Sequence, residues 1–227
     1  MASGKSMLKP LIQRIFGRDA MIRVSTFLFV ICLCFSGCHK KVTPIEYVMP
    51  DTVQLRSGDL LFRKGVSRES RAVTTMDRKS DYTHVGMVVW TDDGWRVLHA
   101  VPNERATEQE EDSVKLEPVG LFFRSDRAVK GGVFRYPLTP SDTLRLQQRG
   151  LALYHTRHPL FDGTFDEHDT VAFYCTELVC FLYRQELGVD LSEGRRHHLP
   201  LYPDLIFCSD VFQNPRLEEV FTFDNEP

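Results

Sequence analysis

Cys175 lies in the string Phe173-Tyr174-Cys175-Thr176-Glu177-Leu178-Val179, where an apolar run turns into a helical pattern. His84 lies far upstream in Tyr82-Thr83-His84-Val85-Gly86-Met87-Val88-Val89, a strand pattern. A cysteine at a helix start and a histidine on a strand are the two halves of a thiol nucleophile and its base. A thiol attacks only as thiolate. A helix N-terminus favours that form through its dipole and its free N–H groups. A neighbouring imidazole favours it further and later protonates the leaving group. The same N–H groups can bind the oxyanion of a tetrahedral intermediate. A third polar group orients the imidazole. His99 fits that role from the neighbouring strand, although Asp or Glu is commoner there.

Taken singly, a cysteine on a helix is usually core and a histidine on a strand is usually a satisfied structural residue. The elements around the two residues raise them above that reading. Strands His84–Trp90 and Trp95–Ala100 flank Thr91-Asp92-Asp93-Gly94, a good hairpin turn. Folding there brings His84 within a residue or two of the position opposite His99. The Cys175 helix ends at Gly188, a natural C-cap. Positions 175, 178, 179, 182 and 183 form one apolar face, so Cys175 begins a buried stripe directed at the strands.

The rest of the domain reads coarsely. Ser57-Gly58-Asp59-Leu60-Leu61-Phe62-Arg63 is a turn feeding a strand. Residues 64–80 are a polar loop or short helix, and 103–117, acidic at Glu108–Asp112, reads as a solvated loop. Gly132–Tyr136 is a strand. Thr139-Pro140-Ser141-Asp142 opens a helix running to about His155. His158–His168 is loop-like, and the tail after 190 is irregular, with Pro200, Pro203 and Pro215.

The 227 residues are 42% hydrophobic and 26% charged. That suits one domain with a real core, and no basic stripe points to nucleic acid. Residues 24–35 are apolar but too short for a comfortable membrane span, and they have the length of a signal-peptide core. They lead into Phe35-Ser36-Gly37-Cys38, which resembles a bacterial lipobox with Cys38 as the lipidated residue. An ordinary signal peptide or membrane anchor is the other reading. The start is either Met1 or Met21. Removing residues 1–37 takes five of the 28 Lys and Arg and one of the 31 Asp and Glu, leaving a net charge of −7. Membrane attachment would then rest on the lipid rather than on a basic surface. The expected organisation is 1–38 signal and lipobox, 39–54 tether and 55–227 a single domain. Cys175, Cys180 and Cys208 remain, an odd number outside the cytoplasm, which requires at least one free thiol. Cys175 and Cys180 lie roughly 8–9 Å apart on one helix, beyond disulfide reach. Cys208 can pair with either only through tertiary proximity.

Together these strings, with Val97-Leu98-His99-Ala100 and Pro159-Leu160-Phe161-Asp162, resemble the YiiX/YaeF family of circularly permuted papain-like proteins in the NlpC superfamily. The likeness runs from about residue 55 to 190. His before Cys is the permuted order; ordinary papain-like enzymes have Cys first. The resemblance implies an α+β, NlpC-type fold, a small antiparallel sheet or barrel packed on a helix that carries the cysteine at its N-terminus. It implies Cys175 as nucleophile, His84 as base and His99 as the orienting residue, with thiol hydrolysis or acyl transfer on amides or esters. Some relatives carry an acidic residue at the third position.

Tyr174 either lines the oxyanion site or packs, and Tyr82 and Asp162 are further cleft candidates. Glu177, in the first helical turn, complements the dipole. Asp162, Asp166 and His168 match no familiar metal spacing, so neither metal nor cofactor is expected. His197-His198 beside Arg195-Arg196 reads as a solvated patch. The expected substrate is a cell-wall peptide or a lipid-like amide or ester of the cell envelope. His39 after Cys38 favours the periplasmic face of the outer membrane. The competing reading is a binding or scaffold lipoprotein that keeps the fold without chemistry.

Overall fold

A computed structural model describes residues 45–49, 52–104, 107, 109–165, 171–198 and 204–226. The signal segment, the Cys38 lipobox, Asp166 and His168 lie outside the described residues.

The strand β1 (Leu60–Gly65) is entered through Gly58, whose φ is +94°. A Cβ there would lie 2.7 Å from Leu138 Cδ1, so both the backbone and the space call for glycine. Buried Asp59 follows. It accepts bonds from Arg135 Nε and Nη2 at 2.7 and 2.8 Å. The Gly58-Asp59 string thus shapes the strand entry and clamps it to the end of β5 (Ala128–Arg135). It does not reach the site.

β2 (His84–Thr91) and β3 (Gly94–Ala100) form the expected hairpin, with Met87 opposite Leu98 and Thr91 opposite Gly94. The segment read as a solvated loop continues the sheet instead. Val114–Pro118 is strand β4, paired antiparallel with β3. The acidic run at 108–112 masked a short alternation in which Val114 and Leu116 turn into the core while Lys115 and Glu117 face the other way. The tail, read as irregular, carries regular structure as well. It includes helix α5 (Cys208–Phe212) and strand β10 (Glu218–Asp224), which pairs with β5. The result is one six-stranded antiparallel sheet in the order β10-β5-β1-β2-β3-β4. Four further strands are short: β6 (Leu160–Phe161) pairs parallel with β7 (Ala172–Phe173), and β8 (His197–His198) pairs with β9 (Asp204–Leu205).

Of the helices, α1 (Arg68–Met76) is capped by Ser67, whose Oγ accepts from Ser70 N. The four-residue α2 (Val119–Phe122) follows β4 directly. In α3 (Pro140–Arg157), Thr139 and Asp142 exchange the reciprocal bonds of a capping box. The helix α4 (Cys175–Leu187) ends at Gly188 with φ +67°, and its stripe Leu178, Val179, Leu182 and Tyr183 is fully buried. Each such side chain contributes about 1.5–3 kcal/mol of burial. This stripe packs on β2, β3 and α3.

Because strand side chains alternate, the sheet has a core on each face. Val85, Met87 and Leu98 join the α3–α4 side. Leu61, Val88 and Val97 pack with Phe122 and Phe123 on the other. The described part of the expected tether lies against this second face. Tyr47 bridges to Arg124, Glu46 N donates to Ser125 Oγ, and Met49 and Val53 join the apolar cluster.

Candidate active site

His84 is the first residue of β2, and Cys175 is the first residue of α4. The helix N-terminus therefore reaches the sheet at the point where β2 begins, and the two side chains lie close enough for each to shift the other's titration. Extending the hairpin register by one pair places Gly86 opposite His99. A Cβ on Gly86 would lie 2.5 Å from Val97 Cγ1 and 2.9 Å from His99 Cβ, so the glycine leaves room for the imidazole pair. His84 Nε2 and His99 Nδ1 are 2.8 Å apart. Phe122 stacks on the His84 ring and meets the His99 ring edge-on, at centroid distances of 5.5 and 5.2 Å. The structure thus brings Cys175, His84 and His99 together.

The row continues beyond His99. His99 Nε2 lies 3.1 Å from Glu117 Oε1, at an angle poor for a linear bond, and this nitrogen has no better partner. A carboxylate only accepts, so the His99 proton belongs on Nε2. His99 Nδ1 is then an acceptor, His84 donates from Nε2, and His84 Nδ1 keeps a lone pair for the thiol. Arg127 Nη1 holds both Glu117 and Glu104 at 3.0 Å, and Glu104 also pairs with buried Arg63. The Arg63 guanidinium sits over the Phe122 ring and donates to the Phe122 carbonyl. Glu117, Arg127 and Phe122 escaped the sequence reading. Only the Val114/Leu116 alternation signalled that Glu117 is on a strand, and nothing marked Phe122.

Burial pushes His84 down to about 4, with the Arg63 charge adding to it and the Cys175 contact opposing it. Burial likewise lowers His99, against Glu117. For Glu117, burial acts upward, but the His99 and Arg127 contacts prevail and hold it at about 2. The Cys175 thiol is held well below its usual range: the Cys208 side chain donates to it, and His84 and the Val85 N–H add to this against burial.

The first turn of α4 supplies more. Glu177 Oε2 accepts from Tyr174 N at 3.1 Å, so Glu177 caps the helix. The N–H groups of Cys175 and Thr176 have no intrahelical partner and lie beside the sulfur. Tyr174 accepts from Ile206 N through its hydroxyl at 3.1 Å, and Thr176 Oγ1 donates to Ile206 O at 2.6 Å. These two bonds tie the Cys175 turn to the segment entering α5.

Cys175 and His84 open on a cleft of about 560 Å³, which Tyr174 also lines. Its walls are mainly apolar, with Val73 and Met76 from α1, Val101, Phe165, Ile206 and Phe207 among them. Tyr82 instead packs in the core against Phe62, Phe134 and Phe212. The Asp162 carboxylate accepts from Thr164 N and Oγ1 at 2.7 Å, shaping the turn beside the cleft rather than its wall. His197 bonds Asp210 at 2.9 Å and packs on Phe207, whereas His198 is exposed. Among the described residues, no group of three or more His, Cys, Asp or Glu side chains is placed to hold a metal ion.

A crystal structure described as metalloprotein yiiX from Escherichia coli O157:H7 is similar in fold. The TM-score is 0.60 at 22% sequence identity, covering 75% of this chain and 99% of that one. No curated protein matches the chain. The family profile described as "Permuted papain-like amidase enzyme, YaeF/YiiX, C92 family" matches residues 54–219, from the approach to β1 into β10. With its histidine strand preceding its cysteine helix, the chain belongs to the YaeF/YiiX family of permuted papain-like amidases.

Proposed function

We propose that the protein is a cysteine hydrolase or acyltransferase of lipid-like amides or esters, with Cys175 as nucleophile, His84 as base and His99 as the orienting residue. The observation that carries this reading is the Cys175–His84–His99 row opening on an apolar cleft. A cell-wall peptide presents amides and charges, which such walls would leave unpaired. An acyl chain loses nothing there and gains about 0.8 kcal/mol per buried CH₂.

The Cys175 thiolate attacks the substrate carbonyl, and the oxyanion faces the free N–H groups of Cys175 and Thr176. His84 Nδ1 takes the thiol's proton as the sulfur attacks and passes it to the departing nitrogen or oxygen. The acyl chain is then held on Sγ. His84 next takes a proton from water, giving hydrolysis, or from an acceptor alcohol or amine, giving transfer. A lipid on Cys38 would keep the cleft close to the membrane, since the seven residues to Ile45 span at most about 25 Å. The expected location is the cell envelope, at the periplasmic face of the outer membrane.

The test is hydrolysis of p-nitrophenyl esters of increasing chain length, beside the pH-dependence of Cys175 alkylation. Expected are rates that rise with chain length, activity abolished in Cys175→Ser, an alkylation midpoint well below the ordinary thiol value of about 8.5, and an upward shift of it in His84→Ala. Val73→Asp, in the cleft wall, should remove the preference for long chains and spare short ones. A Cys175 that titrates as an ordinary thiol and ignores His84 would leave the scaffold reading instead.

A further inference from the structure

Cys208 is a buried thiol that makes and breaks no bond in the hydrolytic cycle. It is the first residue of α5, as Cys175 is the first of α4, and both line the same cleft. Their side chains lie close enough for each to shift the other's titration. The backbone holds them so. Tyr174 and Thr176, on either side of Cys175, are both bonded to Ile206, two residues before Cys208. On the far side of Cys208, Ser209 N donates to Asp77 Oδ2 at 2.9 Å, and Phe207 N donates to Asp210 Oδ2 at 2.8 Å. Both thiols are free. They differ in access: Cys175 is partly exposed at the cleft, whereas Cys208 is buried at 2% exposure.

We propose that Cys208 is the resolving thiol of Cys175, so that oxidation of the nucleophile by a hydroperoxide ends in a reversible Cys175–Cys208 disulfide. The inference rests on the reading of Cys175 as a reactive thiolate, not on the substrate. The Cys175 thiolate attacks the outer oxygen of the peroxide and the O–O bond breaks. The sulfur is oxidised by two electrons to the sulfenic acid, and the peroxide leaves as an alcohol or water after taking a proton. The Cys208 sulfur then attacks Cys175 Sγ. An S–S bond forms, the S–O bond breaks, and the hydroxyl leaves as water with the proton that Cys208 carried. An external dithiol returns both thiols by exchange.

The asymmetry suits this order. Attached donors favour the thiolate on Cys175, while the hydrogen bond to that thiolate, burial and the charges of Asp77 and Asp210 keep Cys208 protonated. Peroxide therefore meets Cys175 first, and Cys208 acts only on a neighbour already oxidised. Without it, a second hydroperoxide would oxidise the sulfenic acid to the sulfinic acid, itself leaving as alcohol or water, and a dithiol does not reverse that product. Cys180 is also buried, but it lies more than a turn further along α4, which makes it the control.

The experiment treats the full chain with a several-fold molar excess of hydrogen peroxide, enough to oxidise an unresolved sulfenic acid a second time, and follows alkylation of Cys175, then recovery with dithiothreitol. Trypsin leaves Cys175 and Cys180 on one peptide (158–184) and Cys208 on another (197–216), so fragment spectra or the Cys180→Ser variant assign the bond. Expected are loss of Cys175 alkylation, a linked pair of these peptides through Cys175, and full recovery. In Cys208→Ser, the linked pair vanishes, sulfinic acid accumulates on Cys175 and recovery is lost. Cys180→Ser should behave as wild type. Sulfinic acid on wild-type Cys175 with no linked peptide, or equal recovery in Cys208→Ser, would overturn the proposal. A Cys175 that is unreactive before any oxidant is added would instead overturn the hydrolase reading.

Discussion

Glu117→Gln tests the link beyond His99. The Glu117 side chain is 13% exposed, so solvent screens its contacts little. Its carboxyl sits at about 2 against the usual 4.5. At 1.36 kcal/mol per tenfold, that corresponds to about 3 kcal/mol favouring the ionised form in the folded protein. A carboxyl depressed by folding contributes fully above its unfolded value, and the contribution is lost as the pH falls through the folded one. The wild type should therefore lose this share of its stability between pH 4.5 and 2. The variant should be less stable by up to about 3 kcal/mol at pH 7, and the gap should close as the pH falls. Urea denaturation at several pH values reads both. The second readout is chemical. Glutamine no longer requires the His99 proton to lie on Nε2, so the proton order that leaves a lone pair on His84 Nδ1 is lost. Ester hydrolysis should fall by about 10- to 100-fold, the usual cost of removing a partner that orients a functional imidazole. A variant as stable as wild type at pH 7, with unchanged hydrolysis, would refute the reasoning. Lost stability with unchanged hydrolysis would reduce Glu117 to a clamp on Arg127.

Gly86→Ala should cost about 1–3 kcal/mol by overpacking, since its Cβ would press on Val97 and His99. If the imidazole pair is displaced, it should also slow Cys175 alkylation, which thermal melting and iodoacetamide kinetics read separately. Tyr183→Phe removes the buried bond from the tyrosine hydroxyl to the Gly58 carbonyl, 2.6 Å long. It should cost about 1–3 kcal/mol by leaving the carbonyl unpaired, without altering hydrolysis by the folded protein.

The hairpin, the Cys175 helix and both its ends were legible because each carries a local signal. Asp92-Asp93-Gly94 fits only a turn, Gly188 takes the left-handed C-cap, and the 178–183 stripe repeats at helical spacing. The three residues that meet at the site could be named because two lie on one hairpin and the third on a helix start. Glu117 was hidden because β4 is five residues long beside a denser run of charge. β10 was hidden behind three prolines, although Phe221 and Phe223 alternate around Thr222. Phe122 and Cys208 carry no local signal. Their roles come from tertiary contacts with segments tens of residues away, and no period or spacing encodes those.

The buried charges explain why the site relies on local donors. Beneath the imidazoles, Arg63, Glu104, Arg127 and Glu117 alternate in sign, two cations against two anions. A balanced chain of this kind avoids an unpaired buried charge, but it offers no net positive field to hold a thiolate. Arg63 is also close enough to His84 to oppose its protonation. Stabilisation of the Cys175 anion therefore falls on groups that touch the sulfur: the His84 ring, the Val85 N–H and the Cys208 thiol, together with the end of α4. Cys208 thus stands in two relations to the nucleophile. It faces the sulfur while both thiols are reduced, and on the proposal above it resolves that sulfur once oxidised. Cys208→Ala should raise the Cys175 alkylation midpoint in the absence of any oxidant, because the sulfur loses a donor and burial is left less opposed. Cys208→Ser, which keeps a hydroxyl donor, should raise it less. An identical midpoint in all three proteins would mean that the hydrogen bond contributes nothing to the reactivity of the thiolate.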